Sequence, residues 1–330
     1  MAEMPRLKFI VLSSRFIQLA QHAPLWKSIA CGTWLKRLSR CLARAVVHAC
    51  AGVRVRSNGA GSEIERQLCD MVTYSIITPT FNRRGVIVRS IESSLAFIRV
   101  VRNAELVVID DASRDGTVEL LCGRYADEIA CGVMTLRVRS TNGGVTAARN
   151  DGITAARGAW LIFIDSDDQL LPMAALEIPA FLQQHPDAPV LFFRCEDEQG
   201  RLIGPPTVSG PLDLATLLTR GTPGECMPVV ARSALIDRPF EDDLRGHELL
   251  GYLRIVAVRG PAMLSNTVVR RYGTASMDRL SFRAARLQRA SVMALGYTQM
   301  MREFRHLLPL RRRLALAARI GLYKIASVLK

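Results

Sequence analysis

The chain has 330 residues, enough for one large α/β domain with appendages, and carries 44 Lys and Arg against 30 Asp and Glu for a formal net charge of +14. The excess is uneven: residues 1–72 hold +7 and residues 279–330 hold +11, which leaves −4 on the 206 residues between them and excludes a nucleic-acid groove built on the central fold. The eight cysteines form no CxxC pair with finger-like histidine partners, which excludes a zinc or disulfide framework, and no run of 18 apolar residues supplies an ordinary membrane-spanning helix.

The N-terminus has only a short apolar stretch and no cleavage-site pattern, so it reads as retained and the protein as cytoplasmic. Residues 25–50 show helical periodicity with Arg37, Arg40, Arg44 and His48 on one face, and the segment SNGAGS at 57–62 reads as a linker. From residue 74 the texture changes. Strands are predicted at 74–78, stopped by Pro79, then at 106–109, 133–138 and 160–164, with helices at 86–98, 117–129 and 145–156 between them. Strands separated by helices of this length specify an α/β fold with a mostly parallel sheet covered on both faces. A helix follows Pro172 as far as Gln184, then a strand at 190–194, a turn at Gln199-Gly200, a Pro/Gly-rich loop at 204–210, a helix at 212–219, a strand at 227–231 and a helix at 247–258. Residues 279–329 read as two basic helices.

The ends of the strands carry the chemistry. Thr80 and Asn82, Asp110 and Asp111, and Asp165 through Asp168 each follow a strand directly, and ligands of open α/β sheets bind at the carboxyl ends of strands, so these groups should meet in one crevice. Within WLIFIDSDD, Asp165 and Asp167 are spaced to turn toward one hard cation. Mg²⁺ or Mn²⁺ takes one or two protein carboxylates where a diphosphate supplies other oxygens. Asp168 is also suited to capping the next helix. Gly143 and Gly144 mark a place where backbone must turn or approach a ligand, and Arg149 on the helix that follows is placed to hold a diphosphate or one of the carboxylates. The dinucleotide fingerprint GxGxxG and the P-loop are absent.

Four motifs in order, IITPTFNR at 76–83, LVVIDDASRDGT at 106–117, NGGVTAARNDGITAARG at 142–158 and WLIFIDSDD at 160–168, resemble family 2 of the inverting glycosyltransferases. The likeness covers 73–250, firmly to 172. It implies a GT-A fold, a nucleotide-diphosphate sugar donor (by family habit a UDP-sugar), a Mn²⁺ or Mg²⁺ cofactor, and a saccharide or lipid-linked saccharide as acceptor. Residues 73–188 would then form the donor half and 189–278 the acceptor half, between basic extensions at 1–72 and 279–330. The resemblance places Pro79, Thr80 and Asn82 in the nucleotide pocket, and Asp110 or Asp111 on the base. It makes Asp167 the direct metal ligand, Asp165 the contact to ribose or a metal water, and Asp168 a support for the loop or a contact to the donor sugar.

The family presents its catalytic base in a Glu-Asp pair, and PFEDDLRGHELLGYLR at 239–254 is similar in outline, with Leu249 in the aspartate's place. Glu248 is therefore the first candidate base and His247 the second, with Asp242 or Asp243 able to reach in from the loop. Arg270, Arg271 and Tyr272 follow an apolar run at 267–269; the resemblance makes them a loop over the diphosphate, whereas the residues alone favour a charged edge loop. In the tail, Arg305, Arg312, Arg319 and Lys330 share a helical face with Leu314, Ala318 and Ile325 broadly opposite. This suits an anionic membrane surface, packing on the catalytic domain, or self-association. A nucleotidyltransferase would need a glycine-rich basic phosphate loop after the first strand, where this chain offers only Arg83 and Arg84.

Overall fold

The computed structural model describes residues 72–206, 208–237, 239–273, 287 and 289–329. The predicted helix at 25–50 and the linker at 57–62 lie outside these residues, as does 279–286 of the first tail helix. In chain order the elements are β1 Tyr74–Thr80, α1 Ile87–Val101, β2 Ala104–Asp110, α2 Thr117–Arg124, α3 Ala126–Ala130, β3 Met134–Val138, α4 Gly144–Ala155, β4 Trp160–Phe163 and β5 Gln169–Leu170. There follow α5 Ala174–Gln184, β6 Val190–Glu196, β7 Gly210–Leu212, α6 Leu214–Arg220, β8 Cys226–Ala231, α7 Arg232–Leu235, a 3-10 turn Asp242–Leu244, α8 Glu248–Arg259, β9 Ala262–Arg271, α9 Ala290–Phe304 and α10 Leu310–Val328.

The strands form one sheet in the order β3-β2-β1-β4-β8-β6-β9-β5, with β7 paired to β9. The first half, β3-β2-β1-β4, is parallel throughout. Beyond it β8 runs antiparallel to both β4 and β6, and β9 returns parallel to β6. All residues of β1 and β2 are buried, because helices cover both faces. Ile76, Leu106 and Val108 pack with α1 and α5 through Ile87, Ile91 and Ile178 on one side. Ile77, Val107 and Ile109 pack with α4 and α8 through Ala148, Ile153 and Leu253 on the other. Each such aliphatic side chain contributes about 1.5–3 kcal/mol by leaving water.

Three local departures have physical reasons. β1 continues through Pro79, because its last pair with β4 is Ile77↔Phe163 and the missing proline N–H falls where β4 has already left the ladder. The helix predicted at 117–129 divides at Tyr125, which turns inward to 2% exposure and sets its hydroxyl on Glu92 at 3.3 Å. Arg270 and Arg271 are not a charged edge loop: they end β9, which pairs with β5 on one side and β6 on the other.

The sheet end opposite the acidic loops is closed by a polar knot. Glu105, 1% exposed, accepts Ser75 Oγ at 2.6 Å and Arg157 Nε at 2.7 Å, and Gly158 N donates to Ser75 Oγ at 2.8 Å. A Cβ at Gly158 would lie 2.6 Å from the backbone nitrogen of Ser75. Because that neighbour is backbone, Gly158→Ala should cost about 3 kcal/mol in urea unfolding. A loss below about 0.5 kcal/mol would show that the α4–β4 connection has room to move.

Candidate active site

At the carboxyl ends of β1, β2 and β4 the protein opens a cavity of about 750 Å³. Pro79, Thr80, Asn82, Asp111, Arg149, Asp165, Asp167, His247 and Glu248 all line it. The floor is laced together by backbone donors. Asn82, in the left-handed region at φ 52°, donates its N–H to Ser113 Oγ at 2.8 Å and accepts Arg114 N at 2.8 Å, which ties the loop after β1 to the loop after β2. Asp110 accepts Ser113 N at 2.8 Å and lies behind the wall rather than in it. Asp111 accepts Gly143 N at 2.9 Å and Gly144 N at 2.7 Å, so its carboxylate, not a ligand, holds the first turn of α4. Gly143 thus acts from behind the cavity surface, while Gly144, at φ 87°, lines it.

Arg149 organises the centre. Its guanidinium reaches Asp165 at 2.7 Å through one terminal nitrogen and Glu248 at 3.1 Å through the other. A single planar fork therefore joins the acidic loop after β4 to the N-terminus of α8. Burial works against the charge of Arg149, but Asp165 and Glu248 outweigh it and hold the guanidinium above its ordinary range. Burial likewise opposes ionisation of Asp165, yet Arg149 and then Arg270 bring its carboxyl below the usual range.

Asp168 does not line the cavity. It is 1% exposed, 3.2 Å from Arg270, and accepts Gly273 N at 2.8 Å. Burial, reinforced by the charges of Asp165 and Asp167, raises it to about 7 against the pull of Arg270. Asp243 is exposed on the 3-10 turn, also outside the lining, and its neighbour Asp242 is held by Asn150 Nδ2 at 2.8 Å. His247 is 9% exposed and sets its ring edge-on to Tyr297 at 5.0 Å, which packs the start of α8 against α9.

The residues alone misplace one part of this site, which the family resemblance puts over the diphosphate, and leave out another. Arg270, which lines the cavity, also contacts Glu225 at 2.8 Å and Cys195 Sγ at 3.2 Å; only the sheet topology separates its fate from that of Arg271, which turns out to Glu196 at 2.7 Å. The other is the α9 wall of Met293, Tyr297 and Met300. Their i, i+4, i+7 spacing was the available signal of an inward apolar face. An ion pair of Arg254 on α8 with Glu303 on α9, at 2.6 Å, fastens that wall.

Asp111, Asp165, Asp167 and Glu248 bring hard oxygen donors to the cavity beside His247. Among the described residues no group of three His, Cys, Asp or Glu is placed to hold a cation unaided. Asp165 and Asp167 lie two residues apart on the loop after β4 and both line the cavity, and such carboxylates could hold Mg²⁺ or Mn²⁺ where a diphosphate supplies the remaining oxygens.

Sheet and cavity together define an α/β protein with a carboxylate-lined ligand site at the ends of parallel strands. The chain matches the glycosyl transferase family 2 model over residues 75–242, half its length, and belongs to that family. It is 29% identical over 131 residues to the poly(ribitol-phosphate) beta-N-acetylglucosaminyltransferase TarS of Staphylococcus aureus, which covers 40% of this chain and 22% of that protein. To the succinoglycan biosynthesis protein ExoO of Rhizobium meliloti it is 39% identical over 98 residues, 30% of this chain and 26% of that one. In structure it is similar to S. aureus TarS 1-349 in complex with UDP-GlcNAc, with a TM-score of 0.57 at 20% identity over 69% of this chain and 66% of that chain. It is similar too to the mannosyltransferase PcManGT of Pyrobaculum calidifontis in complex with GDP-Man and Mn²⁺, with a TM-score of 0.56 at 19% identity over 77% and 73%. These likenesses show the GT-A fold, whose sheet here has a parallel half β3-β2-β1-β4 and a mixed half beyond β4.

Proposed function

We propose that this chain transfers a sugar, with inversion, from a nucleoside-diphosphate sugar to a hydroxyl of a saccharide or lipid-linked saccharide. The observation that carries the proposal is the Asp165–Arg149–Glu248 line, which puts an acidic diphosphate-type loop and a candidate base in one cavity of a family 2 chain. The donors in the similar structures, UDP-GlcNAc and GDP-Man, belong to those proteins; they support a nucleotide sugar as the ligand class, with a UDP-sugar as the first choice.

Each group then has a task. Thr80 and Asn82 border the nucleotide, and the loop after β4 faces the diphosphate. Asp167 would hold Mn²⁺ or Mg²⁺, with Asp165 beside it; when bound, the ion would neutralise charge on the departing diphosphate. Arg149 and Arg270 supply fixed positive charge to the same region without reorganising during the reaction. Glu248 takes the proton of the acceptor hydroxyl. Leu249 stands where the family has a second carboxylate, which makes Glu248 the first candidate for the proton and His247 the second.

Thr80 gives the most specific test. Thr80 is 3% exposed and lines the cavity, and its buried hydroxyl has no hydrogen-bond partner among the described residues. An unpartnered buried hydroxyl weakens the protein by about 1–3 kcal/mol unless a ligand meets it. Thr80→Val should therefore leave the melting temperature unchanged or higher, while the stabilisation that UDP-sugars and Mn²⁺ give the wild type falls by about 1 kcal/mol. The measurement is a thermal-shift titration with UDP- and GDP-sugars, with Mn²⁺ and with a chelator. If no nucleotide sugar stabilises the wild type under either condition, the proposed function fails.

A further inference from the structure

We infer that α10 is a surface helix that lies on an anionic bilayer and holds the catalytic cavity against it. One side of α10 packs on α9: Leu316 is buried, Tyr323 stacks on Tyr297 with ring centroids 5.9 Å apart, and Arg319 covers the same Tyr297 ring at 5.8 Å. The other side is an apolar stripe. Leu310, Leu314, Leu322, Ile325 and Val328 are 59–83% exposed and recur at helical spacing, with the small Ala318 between them. Of the two faces expected in the tail, the apolar one with Leu314, Ala318 and Ile325 is turned outward.

Three observations choose the occupant. Arg319 and Lys324 are exposed beside the stripe, Arg311 is exposed at its N-terminal end, Arg312 and Arg313 are half-buried, and no acidic residue occurs between 304 and 329. An apolar face bordered only by cations matches acyl chains bordered by anionic headgroups, each basic group near such a surface adding about 1 kcal/mol. A second copy of α10 on the stripe would instead bring cation against cation. Nor does the helix span: among the described residues none is long and apolar enough to cross a membrane.

The consequence for the site is geometric. The Tyr297 ring lines the cavity and also stacks on Tyr323 of α10, so a single aromatic ring joins the cavity wall to the surface helix. An acceptor whose saccharide enters the cavity can then keep its lipid in the bilayer. This step rests on the transferase reading above, and it selects the lipid-linked acceptor from the two classes that reading allows.

The test is sedimentation of the full chain with phosphatidylglycerol–phosphatidylcholine vesicles and with pure phosphatidylcholine vesicles, alongside the vesicle-free donor thermal shift. The wild type should bind the anionic vesicles, about tenfold less well at high salt, and hardly bind the neutral ones. Leu314→Glu with Ile325→Glu changes only the exposed stripe and should weaken binding about a hundredfold, with the melting temperature and the donor-induced shift intact. Should that variant fail to fold, Arg311→Glu with Lys324→Glu tests the margins and should abolish the preference for anionic lipid. Equal pelleting of wild type and both variants overturns the inference. So does a wild type that ignores vesicles and sediments as a dimer that Leu314→Glu dissociates, which would make the stripe a self-association surface. Loss of the donor shift in the absence of vesicles would strike the transferase reading instead and leave the binding result standing.

Discussion

Glu248→Gln is expected to lower the turnover number for sugar transfer on the order of 10²–10⁴-fold while leaving donor affinity within about twofold. Glutamine matches the shape of glutamate and still offers Arg149 a carbonyl oxygen where the carboxylate now stands at 3.1 Å. Arg149 keeps its 2.7 Å contact with Asp165, so the acidic loop keeps its position and the donor its site. Only the ability to take a proton is lost. A glutamate that served as a mere strut for Arg149 would give the opposite pattern: Glu248→Gln would be mild, and Glu248→Ala would raise the donor dissociation constant by releasing the guanidinium. Rapid-mixing kinetics with saturating donor, together with donor titration of each variant, separates the two. His247 provides the control, because its ring is wedged against Tyr297 and a Cβ on Gly296 would collide with it. His247→Ala should therefore reduce stability, by about 1–3 kcal/mol, more than it reduces the chemical step. A wild-type turnover number in Glu248→Gln would pass the base assignment to His247.

What the sequence disclosed about this site divides along physical lines. β1, β2 and β4 are runs such as SIIT, ELVVI and WLIF that are buried on both faces, and a polar residue at the end of each is visible without knowing the neighbours. Thr80, Asn82, Asp111 and Asp165 could be assembled from that pattern because parallel strands bring their carboxyl ends to one side. The same logic could not say how the carboxylates are spent. Asp110 and Asp111 have equivalent local sequence, yet both accept backbone N–H groups, from Ser113 in one case and from Gly143 and Gly144 in the other. Those partners are set by how two loops meet, which no local propensity encodes. Arg270 is the extreme case. In TVVRRY the two arginines are equally polar, and pairing of β9 with β5 and β6 decides that Arg270 is buried while Arg271 reaches Glu196. The α9 wall differs in kind: its apolar spacing is present in the sequence, but no local feature says that this face turns to the cavity.

Arg270→Met should destabilise the protein by about 3–5 kcal/mol, the range for breaking one side of a buried ion pair. Arg270 is 5% exposed at its side chain and Asp168 1%, so neither partner can turn to water when the other is removed. Glu225, 45% exposed, can turn outward and should contribute little to the loss. Methionine fills most of the volume, so the deficit reports the stranded Asp168 carboxyl rather than a cavity. Asp168→Asn in the same chain should recover at least half of it, because a neutral pair in place of a buried ionic one is often close to isoenergetic. Urea unfolding of the two single variants and the double variant closes that cycle. Single losses below about 1 kcal/mol would mean that water reaches the pair and screens it. Donor binding separates the second role of this arginine from the first. Arg270 lines the cavity as well as anchoring Asp168, so the double variant should regain stability without regaining the affinity for nucleotide sugar that Arg270→Met loses. Were affinity to return together with stability, Arg270 would act on the donor only through the loop at Asp165–Asp168, and the fixed positive charge facing the diphosphate would be that of Arg149 alone.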